Sequence, residues 1–166
     1  SSDLAVAAVF ALFDGEDGRP LALLEASELT ARRTACSSAL AADYLARDDA
    51  RRLLVVGCGT LAAHMVRAHA CVRDYRHIDI WGRDPAKAAA LAARLRAAVE
   101  AADCVSCVTT SREALVRGAW LKPGVHLDLV GAFLPSMRET DALAVARARI
   151  VVDTRAGALE EAGDLL

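Results

Sequence analysis

The pattern of apolar and polar positions divides the chain into two unlike parts. Two apolar runs, residues 4–13 and 20–25, flank the polar stretch Asp14-Gly15-Glu16-Asp17-Gly18-Arg19. Glycines stand where a tight turn needs positive φ, so this part reads as a β-hairpin. From Thr30 to about Arg47 the spacing becomes that of an Ala- and Leu-rich helix. Leu53-Leu54-Val55-Val56 is then an unbroken apolar run ending in Gly57-Cys58-Gly59, the pattern of a strand buried on both faces. A helix is expected from Thr60 to about Asp74, a strand over His77-Ile78-Asp79-Ile80-Trp81, and a helix opened by Asp84 as N-cap and Pro85 at the first helical position. Further strands are expected at Cys104–Val108, Val125–Val130 and Ile150–Asp153. Ser136 and Glu139 read as a capping box opening a helix after Pro135, and a short helix is expected near Ala158.

Strands alternating with helices predict an α/β fold with a doubly wound parallel sheet. The hairpin stands outside that alternation and reads as the edge of another domain. One irregularity interrupts the scheme. The helix from Pro85 runs through Leu95 directly into Ala97-Ala98-Val99-Glu100, where a nucleotide-binding half normally has another strand. Either the fold lacks that strand or an internal segment is missing near residues 96–99.

Composition narrows the possible functions. With 166 residues, 55% apolar and 25% charged, the chain can bury a core and is unlike a disordered segment. A net charge of −2 offers no basic field for a polyanion, so nucleic acid is not an expected partner. The run Leu4–Phe13 is too short to span a bilayer and follows Asp3 rather than a basic region. No membrane association and a cytoplasmic location are therefore expected. The five cysteines (Cys36, Cys58, Cys71, Cys104 and Cys107) sit in apolar runs and read as reduced thiols. Cys104 and Cys107, three apart on a strand, should face opposite sides, and His64 and His69, five apart on a helix, should diverge. No metal site is expected.

The sequence Gly57-x-Gly59-x-x-Ala62 lies between a buried strand and a helix, the context that a dinucleotide-binding fingerprint requires. This makes the expected sheet Rossmann-type. Gly57 permits the tight turn, Gly59 lets a pyrophosphate approach the backbone, and Ala62 lets helix and strand pack closely. The N–H groups of Thr60 and Leu61 would face the phosphates at the positive end of the helix. The second strand ends in Trp81-Gly82-Arg83, without the carboxylate that usually holds the ribose of NAD. Arg83 suits a 2′-phosphate instead, so NADP(H) is favoured, with NAD(H) possible. Thr109 and Thr110 end the third strand at the carboxyl edge, where an open sheet binds its ligand, and are expected near the nicotinamide ribose.

Several segments, in order along the chain, resemble the ornithine cyclodeaminase/mu-crystallin family. They are Leu29-Thr30-Ala31-Arg32-Arg33-Thr34-Ala35, Val56-Gly57-Cys58-Gly59, Ile80-Trp81-Gly82-Arg83, Gly118-Ala119-Trp120-Leu121-Lys122-Pro123-Gly124, Val130-Gly131-Ala132-Phe133 with Pro135 and Met137-Arg138-Glu139, and Val152-Asp153 with Glu161-Ala162-Gly163-Asp164. The resemblance implies that residues 1–33 are part of a dimerisation and substrate domain and that 34–166 form the NAD(P)-binding domain, in a homodimer. It also implies more chain in front, a strand missing from the interior and a further C-terminal segment. Arg33 matches the family's substrate-carboxylate arginine, with Arg32 its solvated neighbour. Val130 and Gly131 match the coenzyme-binding stretch.

The family's cyclodeaminases, which convert ornithine to proline and ammonia with NAD, carry an Asp two residues after the glycine matching Gly131. Phe133 stands there instead, as in the family's ketimine reductases, which reduce Δ1-pyrroline-2-carboxylate and Δ1-piperideine-2-carboxylate. A ring cannot shuttle protons, but it can wall an apolar pocket beside the nicotinamide. The resemblance thus implies a reductase of cyclic imino acids. Its alternatives are an ornithine cyclodeaminase and a non-catalytic, NADP-dependent binder of small molecules. The family's catalytic lysine has no counterpart here, and neither Lys87 nor Lys122 is assigned that role. His126 and Asp128 share a strand face and read as residues satisfied by hydrogen bonds at the sheet rather than as an acid/base pair.

Overall fold

The computed structural model describes residues 8–82 and 88–166. The front segment is a hairpin, β1 (Val9–Phe13) and β2 (Pro20–Glu25), paired antiparallel with Phe10 opposite Leu24. Its turn uses Gly18 at φ 75°. Nearly all of its residues are exposed, Leu23 by 75%, so the hairpin has neither face covered by the described residues.

The rest is the expected α/β domain. Helix α1 (Ser27–Leu45) leads to β3 (Arg52–Val56), α2 (Thr60–Val72), β4 (His77–Trp81), α3 (Ala88–Ala101), β5 (Cys104–Cys107) and β6 (His126–Leu129). The four strands pair in parallel in the order β4-β3-β5-β6. That order, with β3 central and the chain crossing to either side of it, is Rossmann-like and doubly wound. Side chains alternating along β3 build a core on each face. Leu53 and Val55 meet Ala35, Ala42 and Met65 from α1 and α2, whereas Leu54 and Val56 meet Leu95 and Val99 of α3. Cys104 belongs to the first cluster and Cys107 to the second, so the two thiols do face opposite sides.

Three expectations are corrected. Ile150–Asp153 forms no strand: its residues are exposed, and among the described residues β6 pairs with β5 alone. A β-branched run favours extended backbone, but a strand also needs a partner, and β6 does not supply one. No helix follows Pro135. The next helix, α4 (Ala142–Arg147), starts later and is capped by Asp141, whose carboxylate accepts the Ala144 N–H at 3.1 Å. The capping box of Ser136 and Glu139 is absent because Glu139 is engaged elsewhere. The short helix near Ala158 is present as α5 (Arg155–Glu160), capped by Thr154. Asp84, Pro85 and the start of their helix lie outside the described residues.

Candidate functional site at the carboxyl edge of the sheet

Four strand ends converge into one edge. The N–H of Gly57 donates to Trp81 O at 2.8 Å, Val108 N–H to Val56 O at 2.8 Å, and Val130 N–H to Cys107 O at 3.0 Å. These bonds extend the parallel ladders by one residue, so Gly82, Gly57, Val108 and Val130 lie along one line, with Thr109 and Gly131 one residue further on. Three of these glycines are required by close approach. Gly57 has φ 127°, and a Cβ there would lie 2.8 Å from Val108 O. At Gly82 a Cβ would strike Cys58, coming within 2.8 Å of its Cβ. At Gly131 it would overlap Thr109 O and lie 2.6 Å from Glu139 Oε1. Gly59 differs, because a Cβ there would meet nothing within 4 Å. That open space lies at the N-cap of α2, whose first N–H groups, including those of Thr60 and Leu61, have no acceptors within the helix.

Glu139 closes the edge from behind and is fully buried. Its Oε1 accepts the Thr109 N–H at 2.6 Å and the Thr109 hydroxyl at 2.8 Å, and its Oε2 accepts the Gly131 N–H at 2.8 Å. Burial pushes its carboxyl up to about 7, against the lowering effect of those hydrogen bonds. Its own N–H and that of Thr140 both donate to Asp164 Oδ1, at 2.8 and 2.9 Å.

Beneath the edge, a polar network ties α1 to the sheet. Asp128 Oδ2 accepts from Ser106 Oγ at 2.9 Å and from Ser38 Oγ of α1. Ser38 Oγ also lies 2.9 Å from His69 Nε2 of α2. Since the serine proton goes to Asp128, the imidazole donates in that pair. Burial lowers the pKa of both His69 and His126, with Asp128 opposing the shift, so neutral rings are favoured. The expectation that hydrogen bonds satisfy both His126 and Asp128 holds for Asp128 and fails for His126, whose buried Nε2 has no hydrogen-bond partner among the described residues. Burial raises the Cys104 thiol to about 12 and that of Cys107 well above its usual range, as for inert core thiols.

Gly57, Gly59, Thr60, Leu61, Gly82, Thr109, Val130 and Gly131 all fall at this edge, with Thr110 next in sequence and exposed. Phe133 is 43% exposed beside them, its N–H donating to Gly131 O at 3.1 Å. Arg33 projects from the exposed side of α1, and no hydrogen bond or ion pair joins its guanidinium to the strand ends among the described residues. Arg32 pairs with Glu28 at 2.7 Å, as a solvated neighbour should. Arg83 and Lys87 lie outside the described residues. Lys122 sits at the opposite edge of the sheet, 2.6 Å from Asp103. The residue missed by sequence reading is Glu139. Its Ser-x-x-Glu context suggests a local cap, and only the Asp141 that precedes Ala-Leu-Ala offers a competing helix start.

Comparisons with known proteins place this geometry. The Δ1-pyrroline-2-carboxylate reductase of Paracoccus denitrificans is 42% identical over 169 positions, covering 93% of this chain and 54% of that protein. The structure of the Thermococcus litoralis Δ1-pyrroline-2-carboxylate reductase in complex with NADH and L-proline superimposes with a TM-score of 0.87 at 32% identity, covering 96% of this chain and 54% of the other. The iminosuccinate reductase of Paracoccus denitrificans in complex with NAD+ gives a TM-score of 0.82 at 30% identity, covering 93% and 52%. The chain thus spans about half the length of the relatives it matches. A model of the ornithine cyclodeaminase/mu-crystallin family matches residues 2–166, and the chain belongs to that family.

Proposed function

We propose that this chain is the coenzyme-binding part of an NAD(P)H-dependent reductase that converts Δ1-pyrroline-2-carboxylate and Δ1-piperideine-2-carboxylate to proline and pipecolate. The observation that carries this reading is Phe133. An exposed aromatic ring, on a residue whose backbone N–H donates to Gly131 O, stands at the carboxyl edge where the family's deaminating members have a proton-carrying acid. Reduction of an imine needs an apolar wall and an anchored carboxylate at that place, not a carboxylate base.

The edge fits a nicotinamide coenzyme. Gly57 makes the turn that no side chain could make without striking Val108, and Gly59 leaves open space before the N-terminus of α2. Thr60 and Leu61 would donate N–H groups to the pyrophosphate. Gly82 and Arg83 would meet the adenosine ribose, with Arg83 favouring the 2′-phosphate of NADP(H). Thr109, Thr110, Val130 and Gly131 would flank the nicotinamide end. When bound, the coenzyme supplies the hydride. Arg33 would hold the substrate carboxylate in a bidentate pair, and the Ser38–Asp128 bond fixes its helix to the sheet that carries Phe133.

The domain reading extends this proposal. Residues 1–33, with both hairpin faces exposed, would belong to a dimerisation and substrate domain of a homodimer. An internal gap would lie near 96–99; the Paracoccus alignment, with 169 positions over 93% of a 166-residue chain, is longer than the residues it covers, as a gap in this chain requires. A further strand would add to the open edge of β4, the outer strand of the sheet.

The test is NAD(P)H oxidation by the intact protein with each cyclic imino acid, beside ornithine with NAD+. Coenzyme oxidation coupled to proline or pipecolate formation is expected. Ammonia and proline from ornithine, with no imine reduction, would overturn the reading.

A further inference from the structure

We propose that Glu139 is a positioning residue for the nicotinamide end of the coenzyme, its carboxylate clasping the loops that leave β5 and β6. The proposal rests on the reading that this chain binds a nicotinamide coenzyme. Two loops leaving adjacent parallel strands have no ladder to hold them together beyond the last paired residue. Here one group does so. Glu139 Oε1 takes two donors from Thr109 and Oε2 takes the N–H of Gly131, all within 2.8 Å. Only an acceptor with two oxygens and no donor of its own satisfies three converging donors without opposing an N–H to an N–H.

The clasp is rigid from behind. Asp164 holds the N–H groups of Glu139 and Thr140, and Glu139 O accepts from Leu115 and Val116 at 3.0 Å each. Arg138 donates through Nη2 to Gly163 O at 2.9 Å. Fully buried, Glu139 touches no ligand, so it acts through Thr109 and Gly131. The Thr109 hydroxyl donates to Glu139 and accepts the Ser111 N–H at 3.4 Å, so it retains one lone pair. Gly131 carries no side chain because Thr109 and the carboxylate fill that space. The clasp therefore sets the gap between the two loops, while the turn at Gly57–Leu61 is built by other residues. Loss of the clasp should weaken binding of the nicotinamide half and spare the adenosine diphosphate half.

The experiment titrates NADH and ADP-ribose into the intact protein, its Glu139→Gln variant and an Asp103→Asn variant altered at the far end of the sheet. Glu139→Gln should weaken NADH about tenfold or more and leave ADP-ribose within about twofold, since one loop then faces an amide N–H. Asp103→Asn should leave both ligands unchanged. Equal weakening of both ligands by Glu139→Gln would mean a merely structural role, and unchanged NADH affinity would mean none. Either result overturns the proposal. A wild-type measurement avoids any folding defect. Burial holds the Glu139 carboxyl near 7, and the other ionisable groups about it are Cys107 on β5, Asp164 behind it and Arg138 beside it in the chain. Lowering the pH from about 8 to about 6 should weaken NADH severalfold and not ADP-ribose, because protonation removes an acceptor from one loop. Parallel pH curves for the two ligands would refute the clasp. Failure of the wild type to bind NADH, NADPH or ADP-ribose would instead remove the coenzyme reading, and the proposal with it.

Discussion

Asp103 stitches together the amino edge of the sheet, and replacing it with asparagine should destabilise the protein without touching the coenzyme site. Its Oδ2 accepts the N–H groups of Arg51 and Arg52 at 2.8 and 3.0 Å, and its Oδ1 meets Lys122 Nζ at 2.6 Å and Arg47 Nη2 at 3.2 Å. Burial alone would raise this carboxyl. The bonds from Lys122 and the two backbone N–H groups outweigh that effect and bring it from 3.8 down to about 2. The Asp103 side chain is only 12% exposed, but Lys122 is 32% and Arg47 41% exposed, so solvent screens part of these bonds. With that screening, the depression corresponds to about 1 kcal/mol of stability at neutral pH. Because the folded pKa is the lower one, the contribution is fully present above the unfolded value and disappears as the pH falls through the folded value. Urea unfolding of wild type and Asp103→Asn should therefore differ by about 1 kcal/mol near pH 7, with the gap closing between about pH 4 and 2. Asp103 lies six residues before Thr109, roughly 20 Å along an extended strand, so coenzyme affinity should not change. A gap below about 0.5 kcal/mol at neutral pH, or one that persists in acid, would refute this account of the amino edge.

Three further outcomes are expected. Gly57→Ala puts a side chain at φ 127° and 2.8 Å from Val108 O, so it should lower stability by about 2 kcal/mol or more in urea unfolding and abolish coenzyme binding in a direct titration. Gly131→Ala forces Thr109 and Glu139 apart, and should weaken NADH at least about tenfold while ADP-ribose binding survives. Arg33→Lys keeps the charge but loses the bidentate geometry; the KM for the cyclic imino acid should rise about tenfold or more, with coenzyme affinity unchanged. Coenzyme and substrate affinities falling together would contradict the separation of the two sites.

The parallel sheet was legible chiefly from β3 and β5, short and mostly apolar runs that are buried on both faces, whereas β4 mixes apolar and polar residues and stays largely exposed. The turn at Gly57 was legible for a related reason: its constraint is local backbone geometry. Ile150-Val151-Val152 shows where this logic stops. Its propensity is that of a strand, but pairing is a property of the partner, and β6 leaves it unpaired. Glu139 shows the same limit for a polar residue. Three residues after Ser136 it has the spacing of a local cap, yet its carboxylate serves Thr109, 30 positions earlier, and Gly131, 8 positions earlier. No periodicity encodes that pairing. Asp128 lies between these cases. Its strand face was readable, and burial made hydrogen-bonded partners expected, but Ser38 is 90 positions away and only the packing of α1 on the sheet supplies it.

The central claim is that a nicotinamide coenzyme binds where β3 hands over to α2, and calorimetric titration of the intact protein with NADPH and NADH tests it most directly. Saturable binding at one site per chain is expected, with NADPH tighter and its advantage lost in Arg83→Asp. Heat traces showing no saturable binding of either coenzyme would contradict the claim.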